Sequence, residues 1–197
     1  GPDVGTGATL FAAALAPAAL TSAVVGSGAT AYPLEVTGAL KDMIEAPDLE
    51  GLRALDGRDV VANALTQLEF YEPSETARED YLDSYAGTRF AESARYVRSY
   101  PTDLAVLRDR LPEIRTPVQI IAGRRDQLVP PANAEFLHQR LPNSKLALLD
   151  TGHFAWEDGA DEWGSIALDW IQSGYRLAGS AARPAGADSI NSREPVR

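Results

Sequence analysis

Gly1-Pro2-Asp3-Val4-Gly5 opens the chain, and how those residues are read decides the fold. Two glycines framing an aspartate suit the tight turn where a parallel strand hands over to a helix, because glycine lacks the Cβ that would collide there. Such a turn lifts the Asp3 side chain off the sheet edge and sets it beside the helix N-terminus, where the dipole and free N–H groups favour negative charge. The Val4 N–H then faces any negative charge that develops nearby. The next residues agree. Thr6 to Ala16 is rich in helix formers and stops before Pro17. Leu20 to Gly26 (LTSAVVG) is short, β-branched and glycine-terminated, as a doubly buried parallel strand should be. A helix followed by a buried strand is half of a βαβ unit, whose first strand is expected before Gly1.

Outward from there the pattern divides the chain. Residues 1–30 read as core. Residues 31–110 read as an all-helical insertion, with helices expected over Leu34–Glu45, Arg58–Tyr71, Ser74–Ala86, Arg89–Ser99 and Thr102–Arg110, punctuated by Pro47, Gly57, Pro73, Gly87 and Pro101. Ser74 is only a partial helix start, since Ala77 stands where a capping box wants Glu or Gln. Residues 111–175 return to core: a strand over Thr116–Ala122, a helix over Pro131–Leu141, a strand over Lys145–Leu149 and a helix over Asp161–Tyr175. The last carries an apolar stripe at Trp163, Ile166, Ala167, Trp170 and Ile171. Residues 176–197 are small, polar and unpatterned, and read as a disordered tail. No internal repeat is present.

Composition narrows the function. A formal net charge of −10 argues against nucleic-acid binding, which wants clustered Lys and Arg. The sequence has no cysteine, which removes thiolate metal sites, disulfides and cysteine nucleophiles and fits a cytoplasmic setting. With His138 and His153 as its only histidines, a multi-histidine metal site is not expected, nor is any other cofactor. No run reaches the roughly 18 apolar residues of a membrane span.

Three segments fall at the C-terminal ends of expected strands, the edge of an open α/β sheet where reacting groups collect. They are Gly1-Pro2-Asp3-Val4-Gly5, then Gly-Arg-Arg-Asp126-Gln-Leu-Val-Pro, then Asp-Thr-Gly-His153-Phe. In that order, and separated by a helical insertion, they resemble the α/β-hydrolase superfamily over roughly residues 1–175. The resemblance implies a mostly parallel sheet with helices on both faces and an all-helical cap. It implies Asp3 as nucleophile on a strained elbow, Asp126 as orienting acid and His153 as general base. A carboxylate needs no base to activate it and can attack an sp3 carbon, forming an ester that a His153-activated water then hydrolyses.

Within the superfamily this is similar to the aspartate-nucleophile branch, the epoxide hydrolases and dehalogenases. Val4 stands where many relatives carry a halide-holding Trp or a carboxylate-holding Arg, which counts against dehalogenation. An epoxide hydrolase needs cap tyrosines to protonate the opening oxygen, and Tyr71, Tyr81, Tyr85, Tyr96 and Tyr100 are available. The expected substrate is therefore a small organic molecule such as an epoxide, with an ester or lactone, or a non-catalytic ligand-binding or assembly role, as the alternatives. Plainer readings stand beside these: Asp3 as a helix N-cap, Asp126 as a turn residue and His153 as a structural histidine. The resemblance also implies strands ahead of Gly1, so an N-terminal fragment of the same hydrolase domain is the expected partner.

Overall fold

The computed structural model describes residues 1–175; the tail expected over 176–197 lies outside them. Three parallel strands, β1 (Ala23–Val25), β2 (Val118–Gly123) and β3 (Ser144–Leu149), pair in the order β1-β2-β3, with Val25 opposite Ile120 and Gly123 opposite Leu149. Every residue of β2 is buried, as a central parallel strand requires. Beyond β1 the pairing continues through one parallel bridge, Pro2 to Gly26.

Helix α1 (Val4–Leu15) leaves that bridge and packs back on the sheet. Helices α2 (Gly38–Glu45), α3 (Glu50–Arg53), α4 (Gly57–Leu65), α5 (Glu75–Ser84), α6 (Arg89–Arg98) and α7 (Tyr100–Arg110) follow, and β2 comes after them. Then come α8 (Ala132–Arg140), β3, a short α9 (Ala155–Asp158) and α10 (Ala160–Gln172).

Side chains alternate across β2 and so build two cores. Val118, Ile120 and Ala122 meet Leu10 and Ala13 of α1, Leu104 and Leu107 of α7, and Leu137 of α8. Ile121 faces the other way, with Leu149 and Ala155, under Trp163 and Ile166 of α10. A third cluster ties Ile44 of α2 and Val97 of α6 to Val129, three residues past Asp126. The cap is thus packed on the loop that carries the acid.

Several expectations shift at their edges. The helix expected over Arg58–Tyr71 stops at Leu65, and α3 and α9 were not expected. Ser74 does cap α5, accepting the Ala77 N–H at 3.2 Å, so a capping Ser suffices without the reciprocal Glu. Of the α10 stripe, Trp170 is buried but Ile171 is 56% exposed, since a residue one step along a helix points about 100° away. Among the described residues no helix is long and apolar enough to cross a membrane.

Candidate active site

Asp3 sits between Pro2, which pairs with Gly26, and the first residue of α1. Its backbone is held at φ 52, ψ −129, a region a non-glycine residue enters only under constraint. The constraint is visible. The Asp3 N–H donates to Gly26 O at 3.0 Å. The buried Thr6 hydroxyl lies 2.9 Å from both Gly1 O and Gly26 O, and accepts the Gly26 N–H at 3.0 Å. Gly28 presses on the turn so closely that a Cβ there would lie 2.4 Å from Asp3 O. Of the two framing glycines only Gly1 is sterically required. A Cβ on Gly1 would lie 2.6 Å from Gly5 O, whereas one on Gly5 meets nothing within 4 Å. Asp3 does stand at the N-cap position of α1, but its side chain makes no capping hydrogen bond to the helix.

The acid and the histidine come from the ends of β2 and β3. Gly123 lets these ends close together, since a Cβ on it would lie 1.9 Å from Gly152 O. The backbone N–H groups of Arg124 and Arg125 then donate to Leu149 O and Thr151 O, at 2.7 and 2.9 Å, locking one loop to the other. Asp126 is buried and uses both oxygens. Oδ1 accepts the N–H groups of Leu128 and Val129, at 2.9 and 2.8 Å, and Oδ2 lies 2.8 Å from His153 Nδ1. The turn role and the partner role of Asp126 therefore coexist. The other imidazole nitrogen, Nε2, lies 3.9 Å from Asp3 Oδ1. Three residues far apart in sequence thus meet in one line, carboxylate, imidazole, carboxylate.

The electrostatics follow from that line. Burial works against a charged His153, but the hydrogen bond and charge of Asp126, helped by Asp3, outweigh it and lift its pKa above the ordinary 6.5. Asp3 is lifted above 3.8, first by desolvation and then by the charge of Asp126, against the opposing pull of His153 and the Val4 N–H. Helix α1 begins at Val4, two residues before the expected start at Thr6, and the Val4 N–H lies by the Asp3 carboxylate.

The cap tyrosines separate by position. Tyr100, at the start of α7, is half-buried, and its hydroxyl is held firmly in the protonated form by burial and by the charge of Asp3. Tyr81 is pushed up to about 12, first by burial and then by its hydrogen bond to Glu157. Tyr85 stacks edge-on against Phe90, Tyr96 is exposed on α6, and Tyr71 lies in the loop after α4. The residues not foreseen are Thr6, which braces the elbow, and Asp158, which accepts the N–H groups of Glu69, Phe70 and Tyr71. Spacing from Leu10 and Ala13 on the buried face of α1 was the one available signal for Thr6; Asp158 had none. Among the described residues no group of three or more His, Cys, Asp or Glu side chains is arranged to hold a metal ion.

The family model for the alpha/beta hydrolase fold matches residues 8–160. A human protein, serine hydrolase BPHL, is 32% identical over 93 residues, 46% of this chain and 32% of that protein. A pimeloyl–acyl-carrier-protein methyl ester esterase of Neisseria meningitidis is 30% identical over 70 residues, 35% of this chain and 27% of its own length. The matches thus span about a third of these curated relatives. Among solved structures, an esterase of Exiguobacterium antarcticum superposes with a TM-score of 0.68 at 20% identity, covering 87% of this chain and 65% of that one. That likeness is one of fold.

Proposed function

From the premise that this chain belongs to the alpha/beta hydrolase fold family, we propose that it is part of a hydrolase using Asp3 as nucleophile, His153 as base and Asp126 as orienting acid, on a small organic substrate such as an epoxide. The observation that carries this reading is Asp3 itself: a carboxylate at φ 52, without a capping bond, with His153 Nε2 at 3.9 Å and Asp126 behind the imidazole.

In this mechanism an Asp3 oxygen attacks a ring carbon, the ring C–O bond breaks, and the alkoxide takes a proton from Tyr100. His153 then removes a proton from a water, whose oxygen attacks the carbonyl carbon of the Asp3 ester. The ester C–O bond on the enzyme side breaks, the leaving oxygen takes the proton held by His153, and the second proton of the water passes from the regenerated Asp3 acid back to Tyr100, so that a diol departs and the Asp3 carboxylate keeps one oxygen from water. Single turnover in 18O-water therefore puts label into the Asp3 carboxylate, which mass spectrometry of the N-terminal peptide detects. Label found only in product would overturn the covalent route.

A second reading, hydrolysis of an ester, is favoured by the names of the relatives, a methyl ester esterase among them. There Asp3 and His153 would direct water at the substrate carbonyl, and no label would enter Asp3. We also propose that a strand from an N-terminal part of the same domain joins the outer edge of β1, where the Pro2–Gly26 bridge begins a ladder.

A further inference from the structure

Cap and His153 turn meet at one carboxylate. Helix α4 ends at Leu65; the N–H groups of Thr66, Gln67 and Leu68 still donate to carbonyls of its last turn, and those of the next three residues turn elsewhere. The N–H groups of Glu69, Phe70 and Tyr71 all donate to the carboxylate of Asp158, at 3.0, 2.9 and 3.0 Å. Successive N–H groups converging on one anion form a concave nest, and bonds to a charged acceptor are the stronger kind. Asp158 is the last residue of α9, the helix that starts two residues past His153.

A second arm reaches the same loop from the acid side. The Arg125 guanidinium donates to Glu69 Oε2 at 2.6 Å and to Asp150 O at 2.7 Å, and lies 5.2 Å over the Phe70 ring. Arg125 directly precedes Asp126. Between the arms Gly152, the neighbour of His153, faces the loop, with its Cβ direction 3.5 Å from Glu69 Oε1. Close by, the Tyr81 hydroxyl bonds Glu157. The loop is thus gripped by residues next to both Asp126 and His153, and it carries two exposed aromatics, Phe70 and Tyr71, on its outer side.

We infer that Asp158 is a positioning residue, a carboxylate latch that holds cap loop 69–71 on the turn carrying His153, so that cap closure and imidazole placement are coupled. It touches no reacting atom. Its partners are amides in an exposed loop, which water can satisfy once the latch is cut, so releasing it frees the loop and leaves the fold standing. The kinetic consequence rests on the reading of His153 as the base; the coupling does not.

The test reads the coupling directly. In the intact protein, Asp158→Asn keeps the shape but replaces one acceptor oxygen by an NH2 donor. Hydrogen exchange at residues 69–71 should rise about tenfold, the worth of a charge-assisted bond. The His153 ring signals should shift their NMR titration, with the ring of His138, an exposed residue of α8 bonded to Ser144 of β3, as the internal reference. Asp158→Glu should recover much of the protection. Glu69→Gln, which weakens the Arg125 arm alone, should move both readouts the same way by less, and it carries the test by itself if Asp158→Asn does not fold. With styrene oxide as probe, Asp158→Asn should raise KM by a larger factor than it lowers kcat, whereas Asp3→Ala should abolish turnover. Loss of the Asp3 reading would leave the exchange and titration results untouched. Exchange at 69–71 within roughly twofold of native together with an unmoved His153 titration would overturn the latch.

Discussion

Asp3 combines a strained backbone with a carboxylate held against its own titration, and both cost stability. A left-handed, non-glycine conformation of this kind costs on the order of 1–3 kcal/mol, and glycine escapes most of it. Asp3→Gly is therefore expected to be more stable than Asp3→Ala by about 1–2 kcal/mol, read as a higher melting temperature, with both variants inactive. Asp3→Asn removes the charge and should stabilise at neutral pH by under about 1 kcal/mol, because half of the side chain is open to screening solvent. The sign follows from linkage: Asp3 and His153 both titrate above their ordinary values, so the folded state binds protons more tightly. Their contribution is complete below those values and fades as pH rises through the raised ones. Catalysis runs the other way, since His153 must be neutral to accept a proton. The acid limb of kcat/KM should therefore lie above pH 6.5, and Asp126→Asn, which removes the main cause of the upward shift, should move it down while lowering kcat. An acid limb unmoved by Asp126→Asn would mean that His153 is not the titrating base.

Elements were legible where the chain decides its own structure and illegible where a distant group intervenes. Helix α5 starts at Glu75 because Ser74 caps it, and β2 runs buried from Val118 because the run VQIIA has no polar break but Gln119, so both could be read locally. Helix α4 shows the opposite. Residues 66–71 have no glycine or proline to end it, yet the amides of Glu69, Phe70 and Tyr71 go to Asp158, 87 residues away from Tyr71, and no periodicity carries that information. The same holds at the site. That Asp3, Asp126 and His153 converge could be read because residues at three strand ends share one edge of the sheet. The proposed choice of Tyr100 among the cap tyrosines was not legible, because it rests on which of them folding brings within reach of the Asp3 charge. Gly123 marks where element packing and site meet. Gly123→Ala forces a Cβ against Gly152 O, so the ends of β2 and β3 must separate. A loss of about 2–3 kcal/mol is expected, as for overpacking in a close-packed core, together with a longer Asp126–His153 distance and reduced kcat. Thermal melts and turnover of the same variant check both; a variant with native stability would contradict the close approach.

At the scale of the molecule, a net negative charge and a sparsely paired sheet edge pull in different directions. A net charge of −10 keeps copies apart. Yet β1 is three residues long, and its outer edge is engaged by Pro2 through one bridge and by the Gly1 ammonium, 3.0 Å from Val24 O. Helix α1 carries no charged residue and leaves Val4 and Leu15 exposed, the latter by 68%. Parallel strands are stable when paired and covered on both faces, and an open edge beside an apolar helix invites pairing. If the proposed N-terminal strand supplies that pairing, residues 1–197 alone should melt broadly, with a calorimetric enthalpy that disagrees with the van't Hoff value, and should bind ANS. Adding a polypeptide that contains the preceding strand should sharpen the transition, remove ANS binding, and raise the melting temperature in proportion to the logarithm of its concentration. A sharp, two-state, ANS-silent melt of the 197 residues on their own would show instead that the three strands and the α1 face are sufficient.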